Sequence, residues 1–309
     1  MSSIPNKSIR NPQSPIRNEK AYGAWIAVCL IWGTTYLGIR IALETIPPFL
    51  MAAFRWIVAG ALIIAILKAR GERMPPARSW GSLAVLGLLL LGFGNGGVVW
   101  AEQTVSSGLT AVLVSTAPFW MVGIEALMPD GDPLTVRRVA GLLVGFGGIL
   151  LLVWPEVHVG QGGRPFLGGV VAAQLACVGW AVGSTYARRH GRDENVLATA
   201  AFEMLFGGLL LLAVALVRHE WNALAVTPRT AGALAYLTFV GAIGGFSAYA
   251  YALKHLPVAT VSLYAYINPV IAVVLGTLVL KEPFSARMAV AAGVVLAGMA
   301  LVSPAGQNS

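Results

Sequence analysis

The chain has 309 residues, of which 57% are hydrophobic, 36 are glycine and only 11% are charged. A soluble domain carries about a quarter charged residues, so this composition excludes a soluble globular enzyme, a disordered chain and a secreted disulfide scaffold, and leaves a polytopic helical membrane protein. The net charge of +8, from 21 Lys and Arg against 13 Asp and Glu, then reports membrane topology, and no nucleic-acid partner is called for.

Residues 1–21, with Lys7, Arg10, Arg17 and Lys20, read as a disordered basic tail and not as a signal peptide. Ten apolar runs follow and predict helices near 22–43, 48–68, 79–101, 105–128, 135–154, 166–187, 196–217, 229–251, 257–280 and 285–303. Each is about 20 residues long, enough for roughly 30 Å of hydrocarbon. Lipid offers no partner to a free amide, so each run must satisfy its own backbone as a helix. The expected class is therefore an all-α polytopic membrane protein, with a short tail at 304–309. The inside segments hold fourteen Lys and Arg and the outside segments six when the N-terminus is placed in the cytoplasm. Both termini are expected on the cytoplasmic side of an inner membrane.

A shift of 148 residues aligns the chain with itself. Cys29 meets Cys177, Trp32 meets Trp180, and Ala52-Ala53-Phe54 meets Ala200-Ala201-Phe202. With three residues inserted, Gly94 meets Gly245 and Pro118 meets Pro269. Each copy, 22–154 and 166–303, holds five spans. Five is odd, so the second copy must enter the membrane upside down, as an inverted repeat. Such a pair can exchange shapes and open a midplane cavity to either face. This predicts a transporter that works as a monomer, with the bilayer and a small-molecule substrate as its partners.

From Leu256 to Leu301 the sequence resembles the repeat of EamA-type members of the drug/metabolite transporter superfamily, with Pro269 inside the fourth span and Lys281-Glu282 leading into the fifth. In the first copy Pro118 matches, but Asp132 stands at the glutamate position. The resemblance covers about residues 22–303. It implies ten helices, a central cavity and export of small metabolites. Within the superfamily the chain is most similar to aromatic amino acid exporters.

Polar groups inside spans need a reason. Arg55 and Glu203 are superposed by the duplication, and Glu102 and Lys254 end their helices. Two sign-reversed pairs, Arg55 with Glu102 and Glu203 with Lys254, are expected as gate latches or structural clamps. Arg40 and Glu44 are spaced for a helix-surface pair, and Lys281-Glu282 for a turn that places Glu at the start of the tenth helix. Trp25, Trp80, Trp154 and Trp221 fit interfacial belts. Trp32 and Trp180 lie too deep for that. With Tyr36, Trp100, Tyr249 and Tyr264 they are candidates for the cavity wall, joined by the uncharged polar groups Asn95, Ser115, Gln174 and Asn268. Proline frees a helix carbonyl, which draws attention to Ser115 near Pro118 and Asn268 beside Pro269.

No cofactor or metal is expected. Cys29 and Cys177 sit in apolar runs, no Cys/His cluster occurs, and the Gly-rich run 92–97 lacks the preceding strand of a phosphate loop. The substrate of choice is an aromatic or other neutral amino acid, stacked in an aromatic wall. A multidrug or other metabolite exporter is the alternative, for which a deep unpaired carboxylate is the mark. A membrane-embedded enzyme is the remote third, lacking any cluster of catalytic side chains.

Overall fold

The computed structural model describes residues 15–128, 134–158, 163–190, 195–256 and 258–302. The tail to residue 14, Asp132, the residues from 303 onward and the side chain of Trp154 lie outside the described part. The described residues form ten membrane-directed helical segments. They are α1 (Pro15–Ala42), α2 (Pro48–Ala69), α3 (Ala77–Ala101), α4 (Ser107–Ala126), α5 (Val136–His158), α6 (Gly163–His190), α7 (Val196–Val217), α8 (Pro228–His255), α9 (Tyr264–Leu280, preceded by a short helix at Val258–Ser262) and α10 (Ala286–Val302). Among the described residues nine are long and apolar enough to cross a bilayer, and α10 is apolar but shorter, at 17 residues. The first helix begins at Pro15, so residues 15–21, expected in the basic tail, are helical.

The two halves pack as a pseudo-twofold. Helix α2 lies against α7, α4 against α9 and α5 against α10, while α1 packs on α8 and α9 as α6 packs on α3 and α4. The inversion is visible in α2 and α7, which run antiparallel. The start of α2 meets the turn after α7, where Leu50 N donates to Glu220 Oε2 at 2.9 Å. The start of α7 meets the turn after α2, where Asn195 Nδ2 donates to Glu72 Oε2 at 3.3 Å. Asn195 in turn accepts from the amides of Leu197 and Ala198, the unpaired donors of the first turn. Midway the helices touch through glycines. A methyl added at Gly60 would lie 2.6 Å from the Ala201 carbonyl oxygen, and one at Gly208 would lie 3.0 Å from Ile57 N.

One local device recurs. A residue in the left-handed conformation stops a helix, and the glutamate after it reaches the start of a helix of the other half, at a backbone amide for Glu220 and Glu282 and at the capping side chain of Asn195 for Glu72. Gly71 (φ +70) precedes Glu72, His219 (φ +54) precedes Glu220, and Lys281 (φ +54) precedes Glu282. Glu282 accepts from Ser107 N and Ser107 Oγ at 2.9 Å and from Gly108 N at 3.3 Å. It therefore serves the start of α4 across the bundle, and not the start of α10 as its sequence position suggested. Three donors on one carboxylate make this a strong tie.

Helices α3 and α8 contain matching departures from α geometry. Each passes through a π-helical stretch, Gly87–Asn95 and Tyr236–Gly244. The Gly-rich run at 92–97 is thus helical throughout, as part of α3. Helix α4 breaks at Ser115 and Thr116, just before Pro118, where the proline cannot donate to the ladder.

The face holding Pro15 and Val302 is termed the terminal face and the other the far face. In the far half Ile39, Ile46, Met51, Leu237 and their neighbours pack together.

Candidate functional site

The terminal half contains a cavity of about 210 Å³. Helix α1 contributes Trp32, α3 contributes Leu90 and Leu91, and α6 contributes Trp180 and Ser184. The first two turns of α7 supply Thr199 and Glu203. Phe246 and Tyr249 of α8 and Tyr264 at the start of α9 close the wall. Both halves thus build the site, and both deep tryptophans that the duplication pairs line it.

The aromatic side is preorganised. The Trp32 ring centre lies 5.3 Å from Phe246, 5.1 Å from Tyr249 and 5.0 Å from Tyr264, the last nearly perpendicular. Edge-to-face contacts of this kind contribute roughly 0.5–1.5 kcal/mol each beyond area burial. Trp32 is further fixed by its Nε1, which donates to Gly241 O at 3.2 Å in the π-helical stretch of α8. A methyl at Gly245 would come within 2.4 Å of Trp32 Nε1, so glycine is needed for the ring to lie flat against α8. Glu203 is the acidic side chain of this wall, and no Lys, Arg or His is among the lining residues. Among the described residues no ion pair joins Glu203 to Lys254, whose side chain is exposed at the terminal face. The arrangement presents flat apolar surfaces for stacking and one carboxyl group for a cationic nitrogen.

The other candidates lie elsewhere. Asn95 Oδ1 accepts from Trp56 Nε1 at 2.8 Å, so its amide holds α3 to α2. Ser115 donates to Val112 O within its own helix at 2.7 Å. Gln174 fastens α6 to the break in α4, accepting from Trp120 Nε1 at 3.0 Å and donating to Leu113 O at 3.3 Å. Asn268 is buried, and its amide nitrogen donates to Cys29 O and Tyr264 O at 3.1 Å, tying α9 to α1 beside Pro269. Tyr36 packs against the cluster that holds Ile39, Met51 and Leu237. Trp100 stacks on Phe49 with ring centres 5.6 Å apart, under the Arg218 guanidinium at 4.6 Å.

Arg55 and Glu102 are both buried, at 3% and 0% exposure, but form no ion pair among the described residues. Arg55 lies 4.2 Å over the Trp56 ring, and both Glu102 oxygens lack a hydrogen-bond donor. Arg40, expected to pair with Glu44, instead donates from Nη1 to the Glu102 carbonyl oxygen. Glu44 instead pairs with Arg229 at 3.1 Å. Glu125 pairs with Arg188 where α4 and α6 end together.

Ser184, Thr199 and Phe246 were not singled out from the sequence, yet helical spacing pointed to them. Ser184 follows Trp180 by four residues, Thr199 precedes Glu203 by four, and Phe246 precedes Tyr249 by three, so each shares a face with a recognised residue.

Comparison with known proteins agrees with this architecture. The model of the EamA-like transporter family matches twice, over residues 20–154 and 167–303. The chain is 36% identical over 285 residues to the inner membrane transporter YedA of Escherichia coli (strain K12), covering 91% of this chain and 90% of that one. It is 27% identical to the protein PecM of Dickeya dadantii (strain 3937), covering 90% of each. It is 28% identical to a chloroplastic WAT1-related protein of Arabidopsis thaliana, covering 90% of this chain and 68% of that one. One crystal structure, 23% identical, has the same fold with a TM-score of 0.64, covering 94% of this chain and 99% of that one. With each inverted half matched along its whole length, the chain belongs to the EamA-like transporter family and is a multi-pass membrane transporter.

Proposed function

We propose that the transporter exports small metabolites that carry a cationic nitrogen, foremost aromatic and other neutral amino acids, by alternating access. The observation that carries this reading is the Glu203 carboxyl group in an aromatic hollow without a counter-cation among the described residues. A protonated amine bonded to Glu203 leaves an adjoining ring or alkyl body to stack between Trp32, Trp180 and Tyr249. Both termini lie in the cytoplasm and the protein sits in an inner membrane. The excess of Lys and Arg on the terminal face supports this orientation, and the likeness to YedA supports the membrane. The cavity then faces the cytoplasm, where an exporter loads. A single chain suffices, since its own two halves complete the wall.

The same unpaired carboxyl group is the mark expected of the second reading, a multidrug exporter of flat organic cations, so it supports both readings and transport itself must choose between them. Reconstitution into proteoliposomes separates the two. Purified protein is assayed with L-phenylalanine, L-threonine, phenethylamine and a cationic dye, and binding is followed by tryptophan fluorescence. Saturable L-phenylalanine flux is expected, reduced at least tenfold in Glu203→Gln, because a charge-assisted hydrogen bond contributes about 1.5–3 kcal/mol. Dye flux without amino acid flux would establish the second reading, and absence of both would remove each of them.

A further inference from the structure

The duplication gives Glu203 a counterpart of opposite sign. Arg55 follows Ala52-Ala53-Phe54 as Glu203 follows Ala200-Ala201-Phe202. In the antiparallel pair α2 and α7, Gly60 packs at Ala201 and Leu205 while Gly208 packs at Ile57. This register sets Arg55 about six residues closer to the far face than Glu203, roughly 9 Å along the helix axes at 1.5 Å per residue.

Between them lies a layer of rings. Phe246 is in the cavity wall, its ring 5.3 Å from Trp32 and 6.0 Å from Trp56. Arg55 is stacked over Trp56 at 4.2 Å. Gly241 is touched from both sides: its carbonyl accepts a hydrogen bond from Trp32 Nε1, and a methyl added to it would lie 3.5 Å from Arg55 Nη2. The guanidinium is 3% exposed, and its Nε and Nη1 have no hydrogen-bond partner. A buried charge with unused donors is costly in this state, and a partner supplied in another state would give that cost a function.

We propose that Arg55 is a second substrate anchor, for a carboxylate, used when the two halves exchange shapes and the cavity opens to the far face. Resting on the functional reading above, this narrows the substrate to molecules that carry both an ammonium and a carboxylate. In the state described here the ammonium end meets Glu203. In the mirrored state Arg55 occupies the wall position that Glu203 has now, and its planar fork of donors takes the carboxylate in two parallel hydrogen bonds. The substrate is handed across the ring layer from one charge to the other. A simple cation can load at Glu203 but meets a like charge on the way out. Arg55 is then the residue that distinguishes amino acids from amines.

The test compares L-phenylalanine with phenethylamine, which lacks only the carboxylate, in proteoliposomes of wild type, Arg55→Gln and Arg55→Lys. The wild type is expected to exchange L-phenylalanine at least tenfold faster than the amine. Arg55→Gln should lose at least tenfold in L-phenylalanine exchange and gain amine exchange, with L-phenylalanine binding from the terminal face, read by tryptophan fluorescence, within about twofold of wild type. Arg55→Lys should keep part of the amino acid exchange and still disfavour the amine, and it carries the test if Arg55→Gln does not fold. Undiminished L-phenylalanine exchange in Arg55→Gln overturns the proposal, as does equal loss for both compounds, the result expected of a static clamp. Amino acid exchange abolished in Arg55→Lys does so as well. A wild type that moves the amine but not the amino acid refutes the amino acid reading above, and this proposal with it.

Discussion

Glu220 and Leu50 come from opposite halves of the chain and meet at the far face, the carboxylate accepting the Leu50 amide at 2.9 Å. The contact supplies the start of α2 with an acceptor that α2 itself lacks, since the residue before it is Pro47 and no side chain of its own caps it. The antiparallel partner thereby replaces local capping chemistry with a tertiary contact.

Glu220→Ala is expected to lower stability by about 1 kcal/mol, the usual cost of a lost helix cap, measured by thermal unfolding in detergent. Glu220→Gln keeps an acceptor and should cost less. Burial pushes the Glu220 carboxyl above its ordinary value, against the opposing pull of the Leu50 amide and Arg218. The folded state therefore favours the protonated form. That contribution is complete below the ordinary value of 4.5 and is lost as pH rises through the higher folded value. The stability of the wild type relative to Glu220→Gln should fall as pH increases across that window. A difference that grows with pH would contradict the assignment.

Gly60→Ala should destabilise the protein by about 1–3 kcal/mol, as overpacking does, because its methyl would press on the Ala201 carbonyl oxygen of a neighbouring backbone at 2.6 Å. Gly81→Ala is the control. It lies in α3 with nothing within 4 Å of the added methyl, and should be neutral or stabilising by up to about 1 kcal/mol through helix propensity. Equal unfolding temperatures for the two variants would mean that α2 and α7 are not in close backbone contact.

Asn95→Ala and Trp32→Ala should separate packing from binding. The first leaves Trp56 Nε1 without its acceptor, costing about 1–3 kcal/mol of stability, while the affinity for L-phenylalanine stays within about twofold. The second removes a ring that touches three others in the cavity wall, and should weaken binding at least tenfold. Titrations by calorimetry check both. Loss of affinity in Asn95→Ala would bring that amide back to the site.

The architecture was legible because hydrophobic length and an odd number of spans per repeat are one-dimensional properties. Trp32 and Trp180 were found for the same reason, since depth along a run rules out an interfacial belt. Rotation about the helix axis is not one-dimensional, and there the expectations diverged from the structure. Arg55 and Glu102 have suitable depths, but Arg55 turns onto Trp56 while Arg40 reaches the Glu102 backbone. Asn95, Ser115 and Gln174 lie inside spans as foreseen, yet each is engaged by a tryptophan indole or a helix carbonyl. Buried polar groups in lipid take the nearest partner, and the sequence does not say which is nearest. Glu282 illustrates the same point, since its target in α4 is fixed by the left-handed turn at Lys281 and not by its neighbours in the chain.

Helices α2 and α7 are fastened at both ends and pressed together at the middle. Two rods held in this way cannot scissor apart at either membrane surface without giving up a hydrogen bond between the halves. They form a spindle, and any rocking that changes which side of the membrane reaches the hollow must turn the remaining helices about it.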